Sequence, residues 1–191
     1  MRKTARIGLL VTLLLSLGNP VSGVAAKPQK TPPPAALTGP TKVVWDYYAA
    51  YLAYLQNDFK KEDKTAKPAP DRSLDPGFVT AHFVASYQKL KAECDRLTPK
   101  GEVGPLDYDV IICAQDFPDS MAGSNVIVIK DTGTEASVRL GMGGFTPPAP
   151  PVIVNLKQEK KGWRIDAVLC NGQDFEALYK DIKKDQTKQK K

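Results

Sequence analysis

The sequence predicts an α+β fold, in which N-terminal helices pack against an antiparallel sheet of about four strands and a C-terminal helix follows. Three observations support this prediction. Apolar residues between 41 and 94 recur with helical spacing. Those between 124 and 170 alternate with polar residues, as in strands that bury one face. A last segment, 173–183, returns to helical spacing.

The first helix is predicted from Thr41, which can cap the segment TKVVWDYYAAYLAYLQND. A helix with a wide apolar face is normally covered on most sides, so we expect this face to form core and, secondarily, to line a pocket. The residues that share the face are unusually aromatic: Val44, Trp45, Tyr48, Tyr51, Leu52 and Leu55.

A second helix is predicted to begin at Asp75 and Pro76, which suit a cap and a first helical position. Before it, KKEDKTAKPAPDRS is charged and interrupted by proline, as is typical of a surface loop. The apolar positions of this helix run toward Cys94: Phe78, Val79, Phe83, Tyr87 and Leu90.

Four strands rich in β-branched residues follow a segment broken by glycine and proline. The short run VII at 110–112 can be either a strand or a buried extended segment. In the loop GGFTPPAPP, between the second and third strands, the prolines cannot join a ladder. The predicted strands are 124–130, 134–142, 151–159 and 162–170.

The first 26 residues have the pattern of a secretory signal peptide. Arg2, Lys3 and Arg6 precede the apolar run IGLLVTLLLSLG, and small residues end at Ala26. This run is too short to span a bilayer, so we expect cleavage and a periplasmic or secreted chain without a stable membrane anchor. The remainder is divided into a Pro-rich leader (27–39), a single domain (40–185) and a basic tail (186–191).

The positive charge of the chain is concentrated at its two ends. The sequence carries 27 basic and 21 acidic residues, and six lysines against two aspartates fall within 180–191. A charged terminus is normally solvated, whereas a nucleic-acid-binding domain carries its charge along one face. The charge pattern therefore indicates no nucleic-acid partner.

Two helices, a strand meander and a covering helix in this order resemble the nuclear transport factor two-like fold, also known from ketosteroid isomerases and grouped with cystatin-like folds. The resemblance is closest to exported bacterial proteins of uncharacterised function and rests on WDYYAAYL, YDVIICAQD and GWRIDAV. It implies a cone-like curved sheet around the first helix, a cavity between them and a possible homodimer through the open sheet. Gln115 and Asp116 lie where the resemblance is strongest. A fold does not by itself imply a function.

Three cysteines in an exported chain predict one disulfide and one leftover thiol. We favour Cys94 with Cys113, because that pair closes the shortest loop and ties an irregular segment to a helix end. Cys113 with Cys170 is the alternative. A catalytic cysteine would need a nearby base, and His82 is the single histidine. The cysteine and histidine spacing matches no zinc site, and no cofactor is expected.

Asp116 and Asp119 lie three residues apart in AQDFPDS and could serve acid–base chemistry or bind calcium. An aspartate before a Pro-containing turn more commonly caps backbone amides, and the loop lacks the calcium pattern Asp-x-Asp-x-Asp-Gly. We therefore predict a structural loop without a metal, which also forms part of a recognition surface.

Three functions make different demands on these residues. A binder of a small apolar ligand would line its cavity with Trp45 and Tyr48. A protein-interaction domain, such as an inhibitor or immunity-type partner, would anchor on Phe117 and Phe145. An isomerase- or hydratase-like enzyme would need a buried carboxylate beside a tyrosine. We rank the two binding functions above catalysis, because nothing fixes which carboxylate or tyrosine of the first helix points inward.

Overall fold

The computed structural model describes residues 37–59, 72–100, 102–145 and 149–189. It confirms the α+β class, since three helices accompany one four-stranded antiparallel sheet. The predicted signal peptide, most of the leader and much of the charged loop lie outside the described residues. The elements are α1 (Gly39–Phe59), a short 3-10 turn (Arg72–Leu74), α2 (Ala81–Leu97), β1 (Asn125–Asp131), β2 (Glu135–Gly141), β3 (Val152–Glu159), β4 (Gly162–Leu169) and α3 (Phe175–Gln189).

The sheet is a simple meander in the order β1-β2-β3-β4. Antiparallel neighbours reverse direction, so the tight turns 132–134 and 160–161 lie together at one end, which we name the turn end. The start of β1, the connection from β2 to β3 and the exit from β4 lie at the opposite end, the loop end. Long connections collect there, and the candidate site is built from them.

The core lies between the sheet and α1, which contacts β1, β2 and β4. Alternate residues of β2 face inward, as their spacing predicts: Ala136, Val138 and Leu140 are all buried. The aromatic face of α1 packs against this layer, so most of the helix is covered, as expected. Its fully or almost fully buried residues are Val44, Trp45, Tyr47, Tyr48, Tyr51 and Leu52.

Helix α2 begins at Ala81, so the predicted start at Asp75 was wrong. Thr80 is the cap, and its Oγ1 accepts the amide hydrogen of Phe83 at 3.1 Å. Asp75 instead accepts from the amide of Gly77 and stabilises a turn. The preceding residues cannot be helical because they run along β4: the Thr80 amide donates to the Ile165 carbonyl at 2.9 Å, and the Ile165 amide donates to the Phe78 carbonyl at 2.8 Å.

Helix α3 extends further than the predicted span 173–183, and the predicted start of the basic tail at 186 falls inside it. Glu93 of α2 holds the two helices together. Its carboxylate accepts from Arg96 at 2.5 Å, from Lys183 at 3.1 Å and from the Gln186 amide at 3.1 Å. These contacts hold the far half of α3 against α2. Within the described residues, no helix is long and apolar enough to cross a membrane.

Candidate recognition surface at the loop end of the sheet

Residues 109–114 form a tight loop that is closed at its base. The Asp109 amide donates to the Ala114 carbonyl at 2.9 Å. Inside the loop, Asp109 Oδ1 accepts the amides of Ile111 at 2.7 Å and Ile112 at 3.1 Å. The run VII is therefore a buried turn rather than a strand, with Ile111 and Ile112 almost fully enclosed.

Two tyrosines of α1 hold this loop from behind. The Tyr51 hydroxyl donates to Asp109 Oδ2 at 2.5 Å, and the Tyr48 hydroxyl donates to the Ile111 carbonyl at 2.9 Å. Burial and then the negative charge of Asp109 raise the pKa of both hydroxyls. Both tyrosines therefore stay protonated and remain hydrogen-bond donors, so the loop stays attached to α1.

The disulfide joins Cys113 to Cys170, with their Cα atoms 5.2 Å apart. The favoured pair, Cys94 with Cys113, was wrong, and Cys94 is a half-buried free thiol. The physical reason is the path of the chain. Tyr48 and Tyr51 hold the loop at the end of the sheet where β4 leaves, which brings Cys170 to it. Burial raises the pKa of the Cys94 thiol, which disfavours the reactive thiolate.

Residues 115–124, which follow the loop at 109–114, pack against residues 142–145, which follow β2. Gly143 packs closely on the loop at 115–124. A Cβ added to Gly143 would lie 2.2 Å from the Ala122 carbonyl oxygen. Gly144, with a φ of +85°, lies against Pro118. The Gly143 amide also donates to Ser124 Oγ at 2.9 Å. We name residues 115–124 and 142–145 together the double-loop surface.

Helix α1 also supports the double-loop surface. The side-chain amide of Gln56, near the end of α1, donates to the backbone carbonyl of Asp119. Helix α1 therefore supports both loops. It holds the loop at 109–114 through Tyr48 and Tyr51, and the loop at 115–124 through Gln56. The double-loop surface is consequently tied to the core rather than suspended from the sheet.

Five of the sequence-predicted site residues lie on the double-loop surface. Gln115, Asp116 and Asp119 are exposed, whereas Phe117 and Phe145 are half-buried. The Gln115 amide donates to Asp107 at 2.8 Å, and Asp116 accepts the amide of Phe117 at 3.0 Å. Within the described part of the chain, no basic side chain forms an ion pair with either aspartate. Among the described residues, the surface therefore presents two carboxylates outside any ion pair, beside two aromatic rings that are partly exposed and otherwise packed against the core.

Trp45 and Tyr48, the predicted cavity wall, lie inside the core and are 6% and 0% exposed. Described residues form grooves of 230 Å³ beside Cys94, 510 Å³ beside α3 and 640 Å³ at the turn end. The linings of these three grooves include neither residue. A ligand pocket lined by Trp45 and Tyr48 stays a prediction.

Asp109 is the residue that sequence reasoning missed. An aspartate directly before a short apolar run is the signal for a side chain that caps the following amides. Its two oxygens accept three hydrogen bonds, so the side chain anchors the loop. Among the described residues, no group of three histidine, cysteine or acidic side chains could hold a metal ion.

No protein-family model matches the sequence, and no curated protein matches it. Among solved structures, it is similar to a chain of the type VI native effector–immunity complex Tae3–Tai3 from Ralstonia pickettii. The identity is 19%, the TM-score is 0.46, and the match covers 69% of this chain and 94% of that chain. A match at this level does not identify what the present chain binds. It does not confirm the nuclear transport factor two-like assignment, which stays a prediction.

Proposed function

We propose that this chain is an exported protein-interaction domain that binds a protein partner through the double-loop surface. The observation that supports the proposal is the close packing of the two loops against each other. Gly143 and Gly144 pack against Ala122 and Pro118, and α1 supports the first loop through Gln56. A surface that is ordered before binding loses little conformational entropy when a partner arrives.

The chemistry of the surface suits a protein partner with a basic rim. Phe117 and Phe145 can anchor in apolar pockets, as aromatic residues commonly do at the centre of interfaces. Asp116 and Asp119 can pair with lysine or arginine side chains around those pockets. A rigid, acidic and aromatic loop pair fits an inhibitor or immunity-type role, in which the loops would occlude the active-site cleft of an exported hydrolase or toxin.

The disulfide supports the exported part of the proposal. Cys113 and Cys170 are joined in the structure, and such bonds persist in oxidising compartments such as the periplasm. This agrees with the signal peptide predicted for residues 1–26. Export also places the domain where secreted hydrolases and toxins act.

The test is native mass spectrometry of the mature protein, isolated from the exported fraction of its host. We expect a stoichiometric protein complex. The double variant Asp116→Lys/Asp119→Lys changes exposed side chains, so it should fold normally and weaken the complex at least about tenfold by charge repulsion. The variant Phe117→Ala/Phe145→Ala should weaken the complex at least as much, because it removes the anchors.

The matched control is Lys160→Ala/Lys161→Ala at the turn end, which should keep the partner. Retention of the partner by both double-loop variants would contradict the proposal, as would its loss from the turn-end control. A small-molecule adduct in place of a protein would instead favour a ligand-binding function that involves Trp45 and Tyr48. Circular dichroism of each variant separates lost recognition from lost folding.

A further inference from the structure

The turn end carries a polar groove of 640 Å³ between the β3–β4 hairpin and the turn that contains Pro76. Three of its lining residues are cationic and one is acidic. The described residues that line it are Pro76, Gln158, Glu159, Lys160, Lys161 and Arg164. The groove lies in the volume range of ligand-binding pockets, but its lining is charged rather than apolar, so it suits a polar ligand with negative charge. We name it the turn-end groove.

One cation of the groove, Arg164, lacks a counter-ion among the described residues. It lies directly opposite Lys157 in the pairing of β3 with β4, and like charges opposite each other destabilise a sheet. Asp166 compensates Lys157, whose ammonium group lies 2.8 Å from Oδ2, while Oδ1 accepts from the Thr80 hydroxyl at 2.8 Å. Both oxygens of Asp166 are therefore engaged, and the positive charge of Arg164 remains for a ligand.

The Arg164 guanidinium group is held beside the turn 160–161. Its Nη1 donates to the Trp163 carbonyl oxygen at 2.8 Å and lies 3.9 Å from the position of a Cβ added to Gly162. Arg164 is half-buried, whereas Lys160 and Lys161 are exposed. A guanidinium group has five N–H donors in a planar fork, and two of them can bind two oxygens of one phosphate group. With one donor used on Trp163, the fork keeps this capacity.

We propose that the turn-end groove binds a phosphate-bearing ligand. Arg164 binds the phosphate oxygens, and Lys160 and Lys161 supply positive charge from the turn. Three cations against one carboxylate, that of Glu159, leave the lining with two excess positive charges. A phosphate monoester carries a charge of about −1.5 to −2 at pH 7, so the charges balance. The groove also has room for an organic body attached to the phosphate group.

The phosphate group can come from two sources. A soluble phosphate monoester would enter the groove as a whole molecule, whereas a phospholipid would present its headgroup from a membrane surface. Both sources offer the same oxygens to Arg164. Lys160 and Lys161 lie at the exposed tip of the hairpin, where either ligand can reach them. The shared chemistry is therefore phosphate recognition, and experiment separates the two sources.

Phosphate binding does not depend on the proposed protein partner. The turn end and the loop end are opposite ends of the sheet, so a ligand and a partner do not compete for the same residues. The variant Lys160→Ala/Lys161→Ala should weaken ligand binding and keep the partner, whereas Asp116→Lys/Asp119→Lys should do the reverse. The two proposals can therefore fail independently in experiment.

Isothermal titration calorimetry of the purified mature protein with glycerol 3-phosphate tests the soluble source. We expect a dissociation constant of roughly 0.1–1 mM at low ionic strength, and no binding of glycerol, which lacks the phosphate group. The variant Arg164→Gln should weaken binding at least about tenfold, because it removes the charged fork. The control Lys180→Ala/Lys184→Ala removes two exposed lysines from α3 and should bind like the wild type.

Co-sedimentation with phosphatidylglycerol vesicles tests the lipid source. Loss of binding in Arg164→Gln, with either ligand, supports the inference and identifies the source. A wild-type protein that binds neither ligand would overturn the inference, and so would an Arg164→Gln variant that binds like the wild type. An equal loss in the control on α3 would also overturn it, because the ligand would then respond to net charge alone. Circular dichroism of each variant separates lost binding from lost folding.

Discussion

The β4 edge of the sheet is closed and the β1 edge is open among the described residues. Along β4, two backbone hydrogen bonds tie Ile165 to the chain just before α2, and Asp166 accepts from Thr80 at 2.8 Å. All three helices contact β4, whereas α1 is the one helix in substantial contact with β1. At its exit β4 is also bound covalently through Cys170. Along β1, Ile127 and Ile129 remain exposed.

This difference indicates a division of roles within one sheet. We expect stability to depend more on the β4 side, where strand, helices and disulfide support one another. Within the described residues the β1 side has fewer supports of this kind, so we expect it to open more readily. The double-loop surface borders β1, since β1 begins directly after Ser124.

The largest expected effect comes from releasing the end of β4. The variant Cys113→Ala/Cys170→Ala removes a crosslink across 57 residues, which in the chain-entropy model stabilises the protein by about 4 kcal/mol. We expect a loss of that size in urea unfolding. The control Cys94→Ala alters a half-buried free thiol and should cost less than about 1.5 kcal/mol. An equal loss of unfolding free energy in the two variants would contradict a stabilising role of the crosslink.

A matched pair of substitutions compares the edges directly. Ile165→Ala on β4 truncates a fully buried side chain and should lower the free energy of unfolding by about 2–5 kcal/mol. Ile127→Ala on β1 truncates a half-exposed one and should cost less than about 1 kcal/mol. The measurement is urea unfolding of both variants and the wild type. Similar costs at both positions would contradict the division of roles.

The smallest expected effect is the pH dependence of stability that arises from Glu93, which joins α2 to α3. Hydrogen bonds from Arg96, and then from Gln186 and Lys183, lower the pKa of Glu93 from 4.5 to about 2. A lowered carboxyl pKa stabilises the folded state above the unfolded pKa, and this contribution is lost as the pH falls. Stability should therefore decline between about pH 4.5 and pH 2. Acid titration of Glu93→Gln should show a shallower decline over that window, and parallel curves for variant and wild type would count against this assignment.

The sheet could be predicted from the sequence because its signal is local. Each strand bound agrees with its predicted position to within one residue, since period-two alternation and turn residues depend only on neighbouring positions. The start of α2 could not be predicted in the same way. Asp75 and Pro76 suit a helix start locally, and residues 76–78 do form one turn, but the pairing of Val79 with Ile165 prevents that turn from continuing as a helix.

The candidate site was only partly predictable for a similar reason. Asp116, Phe117 and Phe145 are recognisable as loop residues from their neighbours, but their loops meet only because Gly143 permits close backbone contact. The disulfide pairing could not be predicted without the position of the end of β4 relative to the loop at 109–114. Counting residues between cysteines favours the nearest pair, whereas the Tyr51–Asp109 hydrogen bond and the course of the sheet bring Cys170 to Cys113.

The Cys113–Cys170 disulfide also makes the sheet a covalent ring, because all four strands lie between these two cysteines. A protease that cuts the exposed turn at Lys160 and Lys161 would open this ring without separating the molecule. Both fragments would stay joined through the disulfide and through the pairing of β3 with β4. In a compartment that contains secreted proteases, a single cut would therefore leave the domain in one piece.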